Sequence, residues 1–211
     1  TTLFRSVMMP NGVQSDIADS IKLCNFLGIK NYIVNIGSAY EALSNEIKSV
    51  TNTKNTTPQF NTNTPSRLRM TTLYGIAALE GNARISCNGN YSERLSGYFT
   101  IWGDGAGDFA PLANLFVDEV VQLGLDLGLP KDLCVKAPAD GMSGKTDEDN
   151  LGFTYEELKK VATGKESELD VETAKKIMNK HGIEKFLFGS DFPMWDHLDE
   201  MKRFEKLGLT G

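Results

Sequence analysis

The chain has 211 residues, 40% of them hydrophobic and 24% charged, which is ordinary for a globular protein long enough to bury a core. A net charge of -6 and a pI of 5.0 give no electrostatic footprint for nucleic acid or an anionic membrane surface. No run approaches the roughly 20 apolar residues that cross a bilayer and no leader pattern opens the chain. Three scattered cysteines (Cys24, Cys87, Cys134) and two histidines (His181, His197) draw no zinc-type cluster. The expectation is a reducing, cytoplasmic protein.

Residues 1–6, Thr-Thr-Leu-Phe-Arg-Ser, resemble the in-frame translation of a sequencing-library adapter and are set apart from the fold; a true N-terminal strand is the alternative. Met-Met-Pro-Asn-Gly then reads as a strand end and turn. Ser15 and Asp16 are cap candidates for a helix with Ile17, Ile21, Cys24 and Leu27 on one face, stopped by Gly28. Residues 31–36 are β-rich and short, and feed a second helix over 39–47. A strand-helix-strand-helix rhythm predicts an α/β fold with an open parallel sheet.

Residues 51–66 are rich in Thr and Asn with Pro58 and Pro65, and read as a long loop leading into Arg67 and Arg69 at a helix start. There, backbone N–H groups and guanidinium forks could meet an anion; the alternative is a solvated basic turn. Residues 82–87 read as a third strand, leaving Asn88, Gly89 and Asn90 at its carboxyl end, the edge where open α/β sheets bind ligands. Glu93 follows in the first turn of the next helix. It is a plausible single carboxylate for a magnesium ion otherwise held by phosphates and water, or simply a dipole-favoured surface residue.

The loop over 100–111 carries Gly103, Asp104, Gly105, Gly107 and Asp108 but matches neither the G-x-G-x-x-G nor the calcium-loop spacing. Asp108 suits ribose hydroxyls or an amide better than phosphate, with an ordinary turn as the alternative. A helix with Val117, Val120, Val121, Gly124 and Leu127 inward ends at Gly128-Leu-Pro. Residues 136–150 form a polar loop with Gly141, Gly144 and an acidic run at 147–149 that reads as solvated, and Thr154 to Glu157 is a capping box for a helix over 155–161.

Ser-Arg-Leu-Arg-Met, Asn-Gly-Asn-Tyr-Ser-Glu, Gly-Asp-Gly-Ala-Gly-Asp and Thr-Asp-Glu-Asp-Asn-Leu-Gly-Phe occur in that order over residues 66–153. In that order they resemble ammonia-dependent NAD synthetase, over about residues 7–165. The resemblance implies an adenine nucleotide alpha hydrolase-like sheet with helices on both faces. It also implies a homodimer that adenylates the nicotinate carboxylate of deamido-NAD with ATP and Mg2+, then lets ammonia displace AMP. By resemblance, Gln14 and Asn88 contact ATP, Arg67 and Asp108 contact deamido-NAD, and Glu93 ligates magnesium.

Ile101, Val117, Ala139 and Met8 stand where many members of that family carry lysine, lysine, threonine and arginine. The family's Ser-Gly-Gly-x-Asp-Ser phosphate loop is not among these residues. The expectation is therefore a sheet lacking its first strand and helix, with little activity for the chain alone. Residues 166–211, with a strand over 185–188 followed by Gly-Ser-Asp-Phe-Pro-Met-Trp-Asp-His, resemble the last strand and loop of a metal-dependent amidohydrolase, where Asp191 takes a metal or acid/base position. The alternatives are an edge strand with Trp195 packed on the domain, a non-catalytic dinucleotide-binding fragment, or a chimeric gene product.

Overall fold

The computed structural model describes residues 4–14, 16–139, 144–181 and 202. Ser15, Gly141, the expected strand over 185–188, Asp191, Trp195 and His197 lie outside the described residues. Strand β1 (Arg5–Met8) and strand β2 (Lys30–Ile33) run parallel, with Arg5 opposite Lys30 and Met8 opposite Ile33. Helix α1 (Ile17–Leu27) makes the crossover between them. Arg5 and Ser6 therefore belong to the sheet. Gly28, at φ 61°, closes α1, and Ile29 N–H donates to Cys24 O at 3.2 Å.

Helix α1 departs from its expected face. Of the four apolar positions only Cys24 is buried, while Ile21 and Leu27 are exposed. Asp16 stands at the N-cap without a side-chain capping bond.

Helix α2 (Gly37–Val50) is followed by α3 (Pro58–Leu79), the longest helix described. Here the expected long loop is corrected. Thr57 caps α3 by accepting Phe60 N–H on its hydroxyl at 3.1 Å, and Pro58 at the first helical position presets φ. The helix continues through Pro65, which is fully buried with Ser66, so packing outweighs the cost of an interior proline. Arg67 and Arg69 consequently sit well inside α3, where backbone N–H groups are already bonded and offer nothing to an anion. At its far end Glu80 accepts from Arg5 Nε at 3.2 Å and from the Tyr32 hydroxyl, tying both strands to this helix.

The expected third strand is also corrected. Residues 82–87 make a single parallel bridge, Ser86 with Phe109, rather than a ladder. Asp108 N–H donates to Ile85 O and Cys87 N–H to Phe109 O, both at 2.8 Å. The partner is the glycine-rich loop, which turns away too soon to extend the pairing. That loop lies hard against the segment: a Cβ on Gly107 would meet Cys87 N at 2.6 Å, and one on Gly103 would meet Ser66 Oγ at 2.3 Å.

Helices α4 (Tyr91–Ser96), α5 (Val117–Asp126), α6 (Lys131–Cys134), α7 (Asp147–Leu151), α8 (Tyr155–Ala162) and α9 (Val171–His181) complete the described α-helices, with a 3-10 turn at Glu166–Glu168 before α9. The main apolar core joins Leu151, Phe153, Tyr155, Leu158 and Ile177, with Leu95, Tyr98 and Val117 packed against it. A second cluster of Met70, Ala77 and Ile85 holds α3 to the extended segment. Ala174, Ile177 and Met178 of α9 are almost fully buried, so α9 packs with α8 and α4 as part of the same body. The first helix after residue 166 thus packs on the elements that precede it.

Replacing Gly107 by Ala puts a methyl group into backbone atoms that cannot move independently. G107A is expected to lose about 1–3 kcal/mol in a urea denaturation, whereas an unchanged midpoint would mean that the loop parts from Cys87 at no cost.

Candidate functional site

A cavity of about 550 Å³ opens among β1's carboxyl end, α3, the loop after residue 86, α4 and α7. Its polar lining includes Ser66, Arg69, Asn88, Glu93, Asp104 and Asp147. Arg69 comes from the middle of α3. Its Nε donates to Met9 O at 2.9 Å and Nη2 to Gln14 Oε1 at 3.3 Å, so the helix grips the chain just after β1. Gln14 in turn donates Nε2 to Asp16 Oδ1 at 2.7 Å.

One turn back, buried Ser66 donates to Asp104 Oδ1 at 2.6 Å and accepts Asp104 N–H at 3.0 Å. Thr100 N–H adds a second bond to the same carboxylate oxygen at 3.1 Å. The Asp104 carboxylate is thus fixed by both α3 and its own turn.

Glu93 is set by a capping box. Asn90 N–H donates to Glu93 Oε2 at 2.7 Å while Glu93 N–H donates to Asn90 Oδ1 at 3.0 Å. Burial pushes the Glu93 carboxyl above its ordinary pKa. The Asn90 N–H opposes this, and the nearby charges of Asp147 and Asp104 add to it.

A third carboxylate, Asp147, is only 4% exposed and accepts the Tyr155 hydroxyl at 3.0 Å, although its neighbours in sequence suggested a solvated acidic run. Burial, then the charge of Asp147, hold the Tyr155 phenol protonated, its pKa pushed well up. Thr146 and Asp149 form a capping box that starts α7 at Asp147, turning that one carboxylate inward while Asp149 stays outside.

The cavity brings two of the expected residues together, Asn88 and Glu93; Asn88 Oδ1 accepts the Ser86 hydroxyl at 2.7 Å. Gln14 reaches the cavity through Arg69. Arg67 and Asp108 do not line it. Arg67 is exposed on α3 with Nε donating to Ile101 O at 3.1 Å, and Asp108 Oδ2 accepts Ile85 N–H at 2.7 Å. Of the four atypical positions, Ala139 lines the cavity, Met8 is buried in β1, Val117 packs on the main core and Ile101 is exposed.

Sequence reading named Arg69 only beside Arg67 as a possible anion contact, and missed Ser66, Asp104, Asp147 and Tyr155 as site residues. The available signals were the i, i+3 spacing of Ser66 and Arg69, which shares a helix face, and the second capping box at Thr146.

Chemically, three carboxylates facing one guanidinium make a cavity that favours a cation or hydrogen-bond donors. Among the described residues no group of three or more ligating side chains is arranged to hold a metal. Glu93 Oε1 accepts no hydrogen bond from the described residues, and a buried, poorly solvated carboxylate suits a single ligand to a hydrated divalent ion.

Comparison with known proteins decides the family. The NAD synthase family model matches residues 2–188. The chain belongs to the NAD synthase family. It is 38% identical to the NH(3)-dependent NAD(+) synthetase of Carboxydothermus hydrogenoformans over 78% of this chain and 68% of that protein. It is also 38% identical to that of Thermococcus sibiricus over 74% and 59%.

Among solved structures, NMN synthetase from Francisella tularensis superposes with a TM-score of 0.76 at 33% identity, covering 89% of this chain and 79% of that one. The NH3-dependent NAD synthetase of Campylobacter jejuni, solved with nitrate, gives 0.66 at 26% identity, covering 88% and 76%. These neighbours place the small parallel sheet and its helices in the adenine nucleotide alpha hydrolase-like fold. The chain spans 55% to 68% of the length of the curated relatives it matches. Among the described residues no helix is long and apolar enough to cross a membrane.

The raised pKa of Glu93 carries a sign. Its folded value exceeds the unfolded value near 4.3, so its stabilising contribution is complete below that pH and is lost as pH rises through the folded value. E93Q keeps an acceptor for Asn90 N–H but removes this loss. The melting temperature of E93Q relative to the parent is expected to rise by a few degrees between pH 4 and pH 7, and a difference that stays flat with pH would refute it.

Proposed function

We propose that the chain serves the ATP-dependent amidation of deamido-NAD by ammonia, in NAD biosynthesis. The observation that carries this reading is the family match together with a polar cavity at β1's carboxyl end that contains Asn88 and Glu93. The acceptor's carboxylate is activated by transfer of AMP from ATP, with release of pyrophosphate. Ammonia then attacks the acyl carbon and AMP leaves, giving the amide.

Nothing in this sequence of steps needs a covalent protein nucleophile. The protein's task is to hold two nucleotides in place and to balance developing charge. Gln14, held by Arg69, and Asn88 are proposed to contact ATP. Arg67 and Asp108 are proposed to contact deamido-NAD from outside the cavity. Glu93 would hold Mg2+, which supplies charge neutralisation at the phosphates. Asp104 and Asp147 leave the cavity suited to an amine or a cation rather than to bare phosphate.

A cytoplasmic homodimer is proposed on the family resemblance. The phosphate-binding loop of the family is not among these 211 residues, which makes acceptor binding a more direct test than turnover. A second reading, amidation of nicotinate mononucleotide, is favoured by the 0.76 TM-score to the Francisella NMN synthetase.

Thermal melts with each ligand separate these readings. Deamido-NAD at 100 times its dissociation constant is expected to stabilise the chain by about 2.7 kcal/mol. A larger shift with nicotinate mononucleotide at the same concentration would select the second reading. No shift with either would exclude both, and ATP consumption in the presence of the preferred acceptor distinguishes a ligase from a domain that only binds.

A further inference from the structure

The turn that carries Asp104 also carries an oddity outside the cavity. Trp102 has φ 64°, in the left-handed region that bulky residues avoid, and its indole is 77% exposed. Neighbouring Ile101 and Phe99 are 59% and 40% exposed, so the turn presents an apolar tip. Mobility does not account for this display. Gly103 N–H and Gly105 N–H both donate to Thr100 O, at 2.9 and 3.2 Å, and the Thr100 hydroxyl donates to Asn63 Oδ1 at 2.9 Å. Gly103 and Gly105 are packed so closely that a Cβ on either would clash with Ser66 or Phe99. The backbone around Trp102 is overdetermined, and strain kept in such a place calls for a use.

Two features place Trp102 close to the cavity. Phe99, Thr100 and Asp104 line the cavity, so Trp102 stands at its rim. Arg67 donates Nε to Ile101 O, one residue away, while its Nη groups donate to none of the described residues. The turn beside the cavity thus carries an exposed indole next to the residue that holds Arg67.

We propose that Trp102 is a binding residue that stacks on the N-ribosylated pyridine ring of the acceptor, with Arg67 taking the ring's carboxylate. That ring is cationic and electron-poor, and tryptophan provides the strongest cation–π face among the aromatic side chains. Adenine carries no such charge, so the assignment favours the nicotinate end of the ligand. This rests on the proposed acceptor, and holds for deamido-NAD or nicotinate mononucleotide because both carry the ring.

The test titrates the intact chain with deamido-NAD, nicotinate mononucleotide and ATP while following indole emission and affinity. W102G serves to subtract the signal of Trp195, the chain's other tryptophan. Both ring-bearing ligands are expected to quench Trp102 and ATP is not. Because glycine accepts a positive φ without strain, W102G should melt no lower than the parent, yet bind deamido-NAD about tenfold more weakly. W102F should retain more affinity than W102L.

A W102G that binds as tightly as the parent overturns the inference and leaves the proposed function standing. So does quenching by ATP equal to that by the acceptor, or an indole signal that follows protein concentration and so reports contact between copies. No response of the parent to either ring-bearing ligand, by calorimetry as well as emission, overturns the acceptor reading and this inference with it.

Discussion

One pair of hydrogen bonds, between Ser66 on α3 and Asp104 in the glycine turn, sets the geometry on which the site depends. The serine hydroxyl donates to the carboxylate and accepts the same residue's N–H, so a single buried side chain locks both the charge and the backbone of the turn. That close approach is possible only because Gly103 has no Cβ. From this contact α3 reaches outward in both directions. Arg69, one turn on, holds the end of β1, and Glu80 at the far end holds both strands. The helix acts as the beam from which sheet, turn and cavity are hung.

The electrostatics follow from that framework. Glu93, Asp104 and Asp147 arrive from three different segments and face one another in a partly dehydrated space. Each carries its own support: a capping box for Glu93, the serine for Asp104, the buried tyrosine hydroxyl for Asp147. Burying a carboxylate, and then placing like charges beside it, costs stability, which the raised Glu93 pKa registers. Trp102, at φ 64° in the turn that carries Asp104, is a second place where local conformation gives way to tertiary packing.

Much of the local structure was legible. Gly28 and Gly128 marked helix ends, and Thr154 with Glu157 marked a helix start, because caps are decided by residues three or four apart. The long loop over 51–66 was misread because its Thr- and Asn-rich composition hid a cap-and-proline start at Thr57 and Pro58, and because Pro65 argues locally against a helix that packing enforces. The third strand was over-read, since β propensity says nothing about whether a partner continues alongside. Glu93 was assigned through the family resemblance, since its place in a helix first turn equally fits a surface residue, whereas Asp147 was dismissed within an acidic run, its burial depending on Tyr155 eight residues later.

By itself the sequence determined the family, the alternation of helices with parallel strands, and two residues of the cavity, because ordered motifs and cap signals are carried by residues close together in the chain. The tertiary structure alone decided that Arg69 rather than Arg67 faces the cavity and that Asp108 is engaged with Ile85. It alone showed three carboxylates sharing one space, and an exposed Trp102 in the turn that carries one of them. Those outcomes depend on the direction in which a side chain leaves its element and on what distant segment lies opposite, and no local pattern encodes either.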